Sequence, residues 1–289
     1  VGHPITATVV YVDSPLRLGG HELRTAYELR HRFAEVHVGN MGSCGATLPL
    51  HPRTALALSW AEAILAGLCV EFLTGLPTDW GGTLEPFDLR AQTIPFGAPE
   101  QALYYQMGRE ASAWLTGNRP HAGHAPLLTM AKVPGAQAAL EKGMSAALGV
   151  ARGCTSLGAA GSLSADEVFS PAQVVLDLEL RDWLERFAAG ICRPEDEPAD
   201  PLKAIREALS GRGFAAADAT LDSYAALSWF PRHLRREMLD RWRDLGSPSA
   251  EETAREEAIE RIEGAQWTLP EPLFGALEAI YAEAAACLG

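Results

Sequence analysis

Five times between residues 5 and 189, a short run of β-branched or small apolar residues precedes a longer run with apolar residues at helical spacing. The first short run, residues 5–12 (ITATVVYV), is typical of a β-strand. Alternation of strands and helices predicts a parallel sheet with crossover helices. We predict strands at residues 5–12, 35–38, 78–83, 121–129 and 154–160, and helices at 21–34, 52–74, 99–115, 134–149 and 170–189.

The pattern changes near residue 198, after which only helices with charged outer faces are predicted, at 200–210, 231–245, 249–262 and 270–288. We therefore predict an α/β fold in two parts: a TIM-type (β/α) barrel portion, residues 1–197, and a helical C-terminal region, residues 198–289, packed on it. A complete barrel has eight strands, so the five predicted strands indicate a partial barrel. A doubly wound open sheet is the alternative, although no G-x-G-x-x-G fingerprint follows the first strand.

Composition and charge narrow the class of protein. The 289 residues are 47% hydrophobic and 21% charged, as in soluble globular proteins, and the net charge of -13 argues against nucleic-acid and anionic-membrane partners. The apolar run 55–73 is interrupted by Ser59, Glu62, Gly67 and Glu71, which argues against a membrane span. Five cysteines without a C-x-x-C pair, and no signal peptide at the first residues, lead us to expect a cytoplasmic protein.

Polar residues that follow the second and third predicted strands are the first candidates for chemistry, because barrel active sites gather on the loops after strands. His37 and Asn40 lie at the end of the second strand, where simple turn formation is the alternative. An aromatic and acidic group, lying within and just after the third predicted strand, suits a methylated ammonium cation. Solvated acids beside an anchoring tryptophan are the alternative interpretation of this group, which consists of Trp80, Glu85, Phe87 and Asp88.

His121 and His124 form a His-x-x-His pair near the fourth predicted strand. Two imidazoles at this spacing bind a metal when both rings face one way. No third ligand is evident in the sequence, so a hydrogen-bonding or structural role is the favoured interpretation.

Small residues end the fifth predicted strand. Gly158, Gly161 and Ser162 would allow close approach of a large planar ligand, with a tight turn as the alternative. Asp166 and Glu167 follow and are candidates for acids at a helix N-terminus.

Several segments, taken in order, resemble the trimethylamine methyltransferase family of corrinoid-dependent methyltransferases. The resemblance covers most of the chain, and its order and spacing are more specific than any single segment. The similar segments are residues 14–16 (SPL), 45–49 (GATLP), 61–67 (AEAILAG), 88–90 (DLR), 97–100 (GAPE), 131–132 (AK), 137–138 (QA), 141–142 (EK), 153 and 160–163 (AGSL), and the tail 254–285.

The resemblance implies a TIM-barrel enzyme that moves a methyl group from a methylated amine to the cob(I)alamin of a partner corrinoid protein. Trimethylamine members carry pyrrolysine, whereas this chain contains only the twenty common residues, which favours quaternary amines such as glycine betaine. On this interpretation the catalytic residues are Glu85, Asp88, His121 and His124. The substrate-binding residues are Trp80, Phe87, His37 and Asn40, and the corrinoid lies beside Gly158, Gly161 and Ser162.

Two other functions remain open. In the first, the chain is a different barrel enzyme, a lyase or hydrolase, that uses His121 and His124 with Glu85 or Asp88 as acid, base or metal ligands. In the second, the chain is a non-catalytic or split-barrel subunit of a larger complex. This function would fit the expectation that the family's N-terminal strands have no counterpart here. Because exposed edge strands are normally covered, we expect a homo-oligomer or association with an N-terminal partner chain.

Overall fold

The computed structural model describes residues 5–117, 124–191, 200–266 and 268–288. Its strands are β1 (Ile5–Asp13), β2 (Arg17–Leu18), β3 (Phe33–Asn40), β4 (Ser43–Cys44), β5 (Thr78–Gly81), β6 (Glu85–Pro86), β7 (His124–Pro126), β8 (Ser156–Gly158), β9 (Ser162–Leu163) and β10 (Val168–Phe169). Its helices are α1 (Gly20–Glu28), α2 (Pro52–Thr74), α3 (Pro99–Thr116), α4 (Ala136–Ala151), α5 (Pro171–Ala188), α6 (Pro201–Glu207), α7 (Asp218–Leu227), α8 (Leu239–Asp244), α9 (Ala250–Glu263) and α10 (Glu271–Leu288).

The largest sheet has four strands in the order β2-β1-β3-β5. β1 pairs with β3 in parallel, with Val10 opposite Val38, and β3 pairs with β5 in parallel, with Val38 opposite Trp80. β2 returns antiparallel to the end of β1. The strand–helix alternation around this sheet confirms the predicted parallel α/β pairing.

The remaining strands form three two-stranded pairs. β4–β6 and β7–β8 are parallel, and β9–β10 is an antiparallel hairpin. Within the described residues these sheets do not close into a barrel. The structure therefore shows a mixed α/β fold, and the TIM-type barrel stays a prediction.

Helix α2 covers one face of the large sheet. Ala66 and Val70 of α2 pack against Val36 and Val38 of β3 in one buried cluster. α2 begins with Pro52 in its first turn and ends at Gly75, whose φ of 72° is the left-handed conformation that glycine favours at a helix end. Among the described helices, α2 alone has the length and apolar composition of a membrane span, but its buried face packs on this sheet.

The opposite face of the same sheet is open within the described chain. Val9 and Tyr11 of β1 point away from α2 and are 39% and 48% exposed. Parallel sheets in proteins are normally covered on both faces. Within the described chain, helices therefore cover this sheet on one face only.

Two predicted helices differ from the structure. The helix predicted at 21–34 ends at Glu28, because β3 pairs along the whole of β1, with Phe33 opposite Ile5. The helix predicted at 231–245 is only the short α8, and α7 was not predicted. The Glu179 carboxylate accepts hydrogen bonds from the backbone N–H groups of Arg232 (2.9 Å) and His233 (3.2 Å), which holds this segment in a non-helical conformation.

The C-terminal part contacts the preceding part through helices α5 and α9. Val175 of α5 packs against Ala254 and Ala258 of α9 in one buried cluster. Described residues from 200 onward form helices and turns without a strand, as predicted. The predicted boundary at residues 197 and 198 lies outside the described residues.

Candidate functional site

A buried polar network lies where β1 and β3 end. Glu62 of α2 is 2% exposed, and its Oε2 accepts hydrogen bonds from Ser14 Oγ (2.6 Å) and Asn40 Nδ2 (2.8 Å). Its Oε1 accepts a hydrogen bond from the backbone N–H of Leu16 (2.9 Å). One carboxylate therefore ties the loops after two parallel strands to α2.

Asn40, predicted to bind substrate, belongs to this network. Its Oδ1 accepts hydrogen bonds from Ser59 Oγ (3.0 Å) and from the backbone N–H of Thr83 (3.0 Å). The side chain is 1% exposed. The structure therefore places Asn40 in the interior, positioning the loops that follow β3 and β5.

Next to these loops lies a cavity of about 290 Å³, here called the Glu85 cavity. Its walls come from β6, α3, β7, α4 and the loops after β3 and β9. It is mostly apolar, with one wall formed by Glu85 and another by two arginines. The lining residues are Met41, Glu85, Phe96, Gln101, Ala102, Tyr105, Arg109, Ala125, Pro126, Leu128, Ser145, Leu148, Gly149, Arg152 and Asp166.

Two walls of the Glu85 cavity are formed by residues that recur at helical spacing along α3 and α4. Gln101, Tyr105 and Arg109 recur every four residues along α3, so they share one face of that helix. Ser145 and Gly149 of α4 share a face in the same way, and Arg152, the C-cap residue of that helix, lines the cavity with them. The two faces meet at the cavity, which brings together residues more than forty positions apart in the chain.

Glu85 is a partly buried carboxyl group held by a single amide. Its Oε2 accepts a hydrogen bond from Gln101 Nε2 at 2.9 Å, and Gln101 Oε1 accepts one from the backbone N–H of Gly97 at 2.9 Å. Burial raises the pKa of Glu85, and the hydrogen bond from Gln101 opposes that increase only in part. A cation bound in this cavity would therefore be stabilised by an anion that water screens weakly.

Two arginines, Arg109 and Arg152, form another wall. The Arg109 guanidinium donates long hydrogen bonds, of 3.4 and 3.5 Å, to the backbone carbonyl of Arg152. Arg152 Nη1 donates to the carbonyl of Ala102 at 3.2 Å. Arg109 Nε is buried and has no hydrogen-bond partner. Because unsatisfied buried donors cost free energy, this wall suits an anionic group.

The other predicted residues of the third loop lie elsewhere. Asp88 forms a turn, in which its Oδ1 accepts hydrogen bonds from the backbone N–H groups of Arg90 (2.8 Å) and Ala91 (3.3 Å). These hydrogen bonds lower the pKa of Asp88. Phe87 is half-buried next to it, and neither residue lines the Glu85 cavity.

Trp80 packs in the core beneath the sheet. Its ring lies edge-to-face with Trp60, with centroids 6.1 Å apart. It fills the space above Gly67, where an added Cβ would lie 2.6 Å from the indole. Because β5 directs the indole toward α2, Trp80 does not line the Glu85 cavity, and a role for it in binding substrate stays a prediction.

The three histidines of the prediction give no common site within the described residues. His37 lies on the open sheet face between Glu35 and Asp79, with nitrogen–oxygen distances of 3.7 and 3.4 Å. His121 lies outside the described residues, and for His124 the structure describes only its backbone in β7. Within the described chain, no three side chains of His, Cys, Asp or Glu converge as metal ligands.

The residues predicted to lie beside the corrinoid make contacts with other residues of this chain. The Gly158 carbonyl accepts a hydrogen bond from the backbone N–H of Leu127 at 2.8 Å. Gly161 has a φ of 81°, and a Cβ there would lie 2.7 Å from Phe169 and 2.5 Å from Val174. Ser162 pairs with Phe169 in the β9–β10 hairpin. The close packing around Gly161 does not fit a cradle for a large planar ligand at that position, and Gly158 and Ser162 take part in backbone pairing.

A buried ion pair holds the same loop. Lys142 of α4 and Asp177 of α5 are 1% and 2% exposed, with Nζ and Oδ2 2.7 Å apart. Asp177 Oδ2 also accepts a hydrogen bond from the backbone N–H of Gly161 (2.7 Å), and Oδ1 accepts one from Gln173 Nε2 (2.8 Å). The position of the loop after β8 is therefore set by the two helices behind it.

Asp166 and Glu167 do not begin a helix as predicted. They lie in the β9–β10 hairpin, where Glu167 accepts a hydrogen bond from Ser164 Oγ at 2.6 Å and Asp166 lines the Glu85 cavity. Helix α5 begins later, with the Ser170 side chain accepting a hydrogen bond from the backbone N–H of Gln173 at 3.2 Å.

The polar residues that α3 and α4 contribute to the cavity were not among the predicted site residues. Gln101 and Arg109 lie within α3, and Arg152 caps the C-terminal end of α4, whereas the predicted site residues came from loops after strands. The four-residue spacing of Gln101, Tyr105 and Arg109 was a usable signal for a shared face.

Comparison with known proteins agrees with the resemblance in the sequence. The family model described as trimethylamine methyltransferase (MTTB) matches residues 2–273. The trimethylamine methyltransferase MttB of Methanosarcina barkeri is 27% identical over 269 residues, which are 92% of this chain and 52% of that protein. That of Desulfitobacterium hafniense is 24% identical over 282 residues, 93% of this chain and 53% of that protein. The chain thus spans about half the length of these curated relatives. It belongs to the trimethylamine methyltransferase family.

Proposed function

We propose that this chain forms the amine-binding part of a methyltransferase that moves a methyl group from a quaternary amine to the cob(I)alamin of a corrinoid protein. Family membership supports methyl transfer from a methylated amine. The Glu85 cavity supports the assignment of the substrate, because one cavity contains a partly buried carboxylate and a guanidinium nitrogen without a hydrogen-bond partner.

The Glu85 wall suits the methylated ammonium group. An N-methyl group donates no conventional hydrogen bond, so it is bound best by apolar contact near an anion. Met41 and Phe96 supply apolar surface in the same cavity, and the Glu85 carboxylate supplies the negative charge. Gln101 would hold that carboxylate in one orientation.

The arginine wall adds a requirement that trimethylamine does not meet. Arg109 Nε is a buried donor without a partner, and a carboxylate is the anion that a guanidinium binds with the best geometry. A substrate with a quaternary ammonium at one end and a carboxylate at the other would satisfy both walls. Glycine betaine has this arrangement, and we propose it or a close relative as the methyl donor.

The chain's own contribution would be to bind, orient and desolvate the donor. A cob(I) corrinoid, carried by a partner protein as the methyl acceptor, would supply the nucleophile. The packed surroundings of Gly161 do not fit a corrinoid cradle, so no residue of this loop is given a role in the transfer. For the fold, we also propose that a partner segment, or a second copy of this chain, covers the open face of the large sheet and completes a TIM-type barrel.

Methyl transfer to cob(I)alamin, followed by absorbance, tests the proposal. The sample is the complex as purified from its source, with glycine betaine, trimethylamine and tetramethylammonium as separate donors. We expect activity with glycine betaine, and a loss of at least about tenfold in Glu85→Gln, because the variant lacks the anion beside the bound cation. Tenfold in rate corresponds to about 1.4 kcal/mol of transition-state stabilisation. Glu100→Gln, on the exposed first turn of α3, is the matched control and should keep full activity.

Two results would contradict the proposal. Activity with trimethylamine but not with glycine betaine would contradict the proposal that the arginine wall binds a substrate carboxylate. Full activity of Glu85→Gln would remove the role of Glu85.

A further inference from the structure

A second cavity, of about 450 Å³, lies between α4 and α5 and is here called the α4–α5 cavity. It shares no lining residue with the Glu85 cavity and lies on another face of α4. Its volume is in the range of small-molecule sites. Its lining residues are Gly135, Ala138, Ala139, Lys142, Gly143, Met144, Ala147, Gln173, Leu176, Asp177, Glu179, Leu180, Trp183, Leu234, Ala250 and Glu251.

Small residues on one helix create the space. Ala139, Gly143 and Ala147 recur every four residues along α4, and they face larger apolar residues of α5 that include Leu180 and Trp183. An added Cβ at Gly143 would meet no atom within 4 Å. The space in front of α4 is therefore open within the described chain.

One polar group in this lining has no partner. Gln173 is 3% exposed, and its Nε2 donates to Asp177 Oδ1 at 2.8 Å, which fixes the orientation of the amide. Its Oε1 is buried and has no hydrogen-bond partner. Leaving a buried acceptor unsatisfied costs about 1–3 kcal/mol, so this position favours a ligand that donates a hydrogen bond.

The charge of the lining indicates which kind of hydrogen-bond donor the ligand would carry. Lys142 is the cation among the lining side chains of the described chain, and Asp177 neutralises it at 2.7 Å. Glu179 and Glu251 are additional acids in the same lining. The surroundings are therefore negative and mostly apolar, which favours a cation with an apolar body.

We propose that the α4–α5 cavity binds a small apolar amine, whose ammonium group donates to Gln173 Oε1 and whose apolar body lies against Leu180, Trp183 and the small residues of α4. This site is independent of the proposed methyl transfer, since it requires neither Glu85 nor a corrinoid. The absence of shared lining residues allows each proposal to fail without the other.

The test uses benzylamine as the probe and isothermal titration calorimetry on the full chain. Benzyl alcohol and toluene serve as neutral analogues of nearly the same shape. We expect benzylamine to bind at least tenfold more tightly than toluene. Gly143→Leu should weaken benzylamine binding at least tenfold, because an added Cβ meets no atom within 4 Å and the leucine side chain would extend into the cavity. Gly275→Leu, a helix glycine of α10 with equally open space, is the matched control and should bind normally.

A second variant tests the polar contact. Gln173→Met keeps the length of the side chain and removes the acceptor, so it should reduce the preference for benzylamine over toluene. The proposal is overturned if none of the three probes binds or if toluene binds as tightly as benzylamine. It is also overturned if Gly143→Leu, or Ala139→Leu should that variant fail to fold, leaves benzylamine binding unchanged.

Discussion

Gln101 fixes the carboxylate of Glu85: the amide Nε2 donates to Oε2 at 2.9 Å, while the amide Oε1 accepts from the backbone of Gly97 at 2.9 Å. The amide thus connects a side chain of β6 to the loop that begins α3. This contact holds an anion in a largely apolar cavity, where burial raises its pKa. Its consequences for stability and for binding are both measurable.

Glu85→Gln should change how stability depends on pH. The folded-state pKa of Glu85 is raised above its ordinary value of 4.5, so between these two values the folded state is protonated while the unfolded state is ionised. Folding then takes up a proton, and the contribution of Glu85 to stability falls as pH rises through that window. The variant lacks this titration, so its stability relative to the original protein should increase as pH rises above 4.5. Urea unfolding at a series of pH values measures this. A constant difference would show that Glu85 is not desolvated.

Glu62→Ala should destabilise the protein by about 3 kcal/mol or more, because hydrogen bonds to charged groups are each worth about 1.5–3 kcal/mol. The change removes the shared acceptor of Ser14, Asn40 and the backbone of Leu16. Glu71→Ala on the same helix is the control, since its contact with Thr78 is exposed. It should change the free energy of unfolding by less than about 0.5 kcal/mol. Equal effects of the two changes would contradict the importance of the network.

Lys142→Met should destabilise the protein by about 3–5 kcal/mol, because it leaves the buried Asp177 carboxylate without its cation. Adding Asp177→Asn removes that charge and keeps an acceptor for the backbone of Gly161. The double variant should therefore be more stable than Lys142→Met alone. Chemical denaturation of both variants checks the order, and a double variant that is less stable would show that the loss of packing, rather than charge, dominates.

Gly67→Ala should destabilise the protein although alanine is the better helix former. The new Cβ would lie 2.6 Å from the Trp80 ring, which Trp60 and the core cluster hold in place. Overpacking of this kind costs about 1–3 kcal/mol and exceeds the helical gain of about 1 kcal/mol. Gly143→Ala, with open space around its Cβ, should instead raise the melting temperature. If both alanine variants raise it, the Trp80 ring has room to move.

The local pattern predicted the helices well where they begin and end on strong signals. Pro52 and Gly75 bound α2, and Ser170 and Pro171 begin α5, as the sequence indicated. The end of α1 was wrong because the pairing of β3 with β1 overrides a helical pattern that continues to Phe33. Pairing between strands distant in the chain is not visible in local periodicity.

The site was less predictable than the fold. Glu85 was chosen for its place after a strand, and it lines a cavity, but Trp80 beside it in sequence points to the core. Which face of β5 meets α2 depends on the register with β3, and no spacing in the sequence gives that register. Arg109 and Arg152 meet only because α3 and α4 pack together, so their proximity required the structure.

The most direct test of the account compares glycine betaine with 3,3-dimethylbutanoate, which has the same shape and carboxylate but a carbon in place of the cationic nitrogen. Calorimetric titration of the full chain measures both affinities. The account predicts that glycine betaine binds at least tenfold more tightly, and that Glu85→Gln removes this preference while retaining affinity for the carboxylate. Equal affinities in the original protein, or a preference that persists in Glu85→Gln, would contradict the assignment of the Glu85 cavity as the site of the methylated ammonium group.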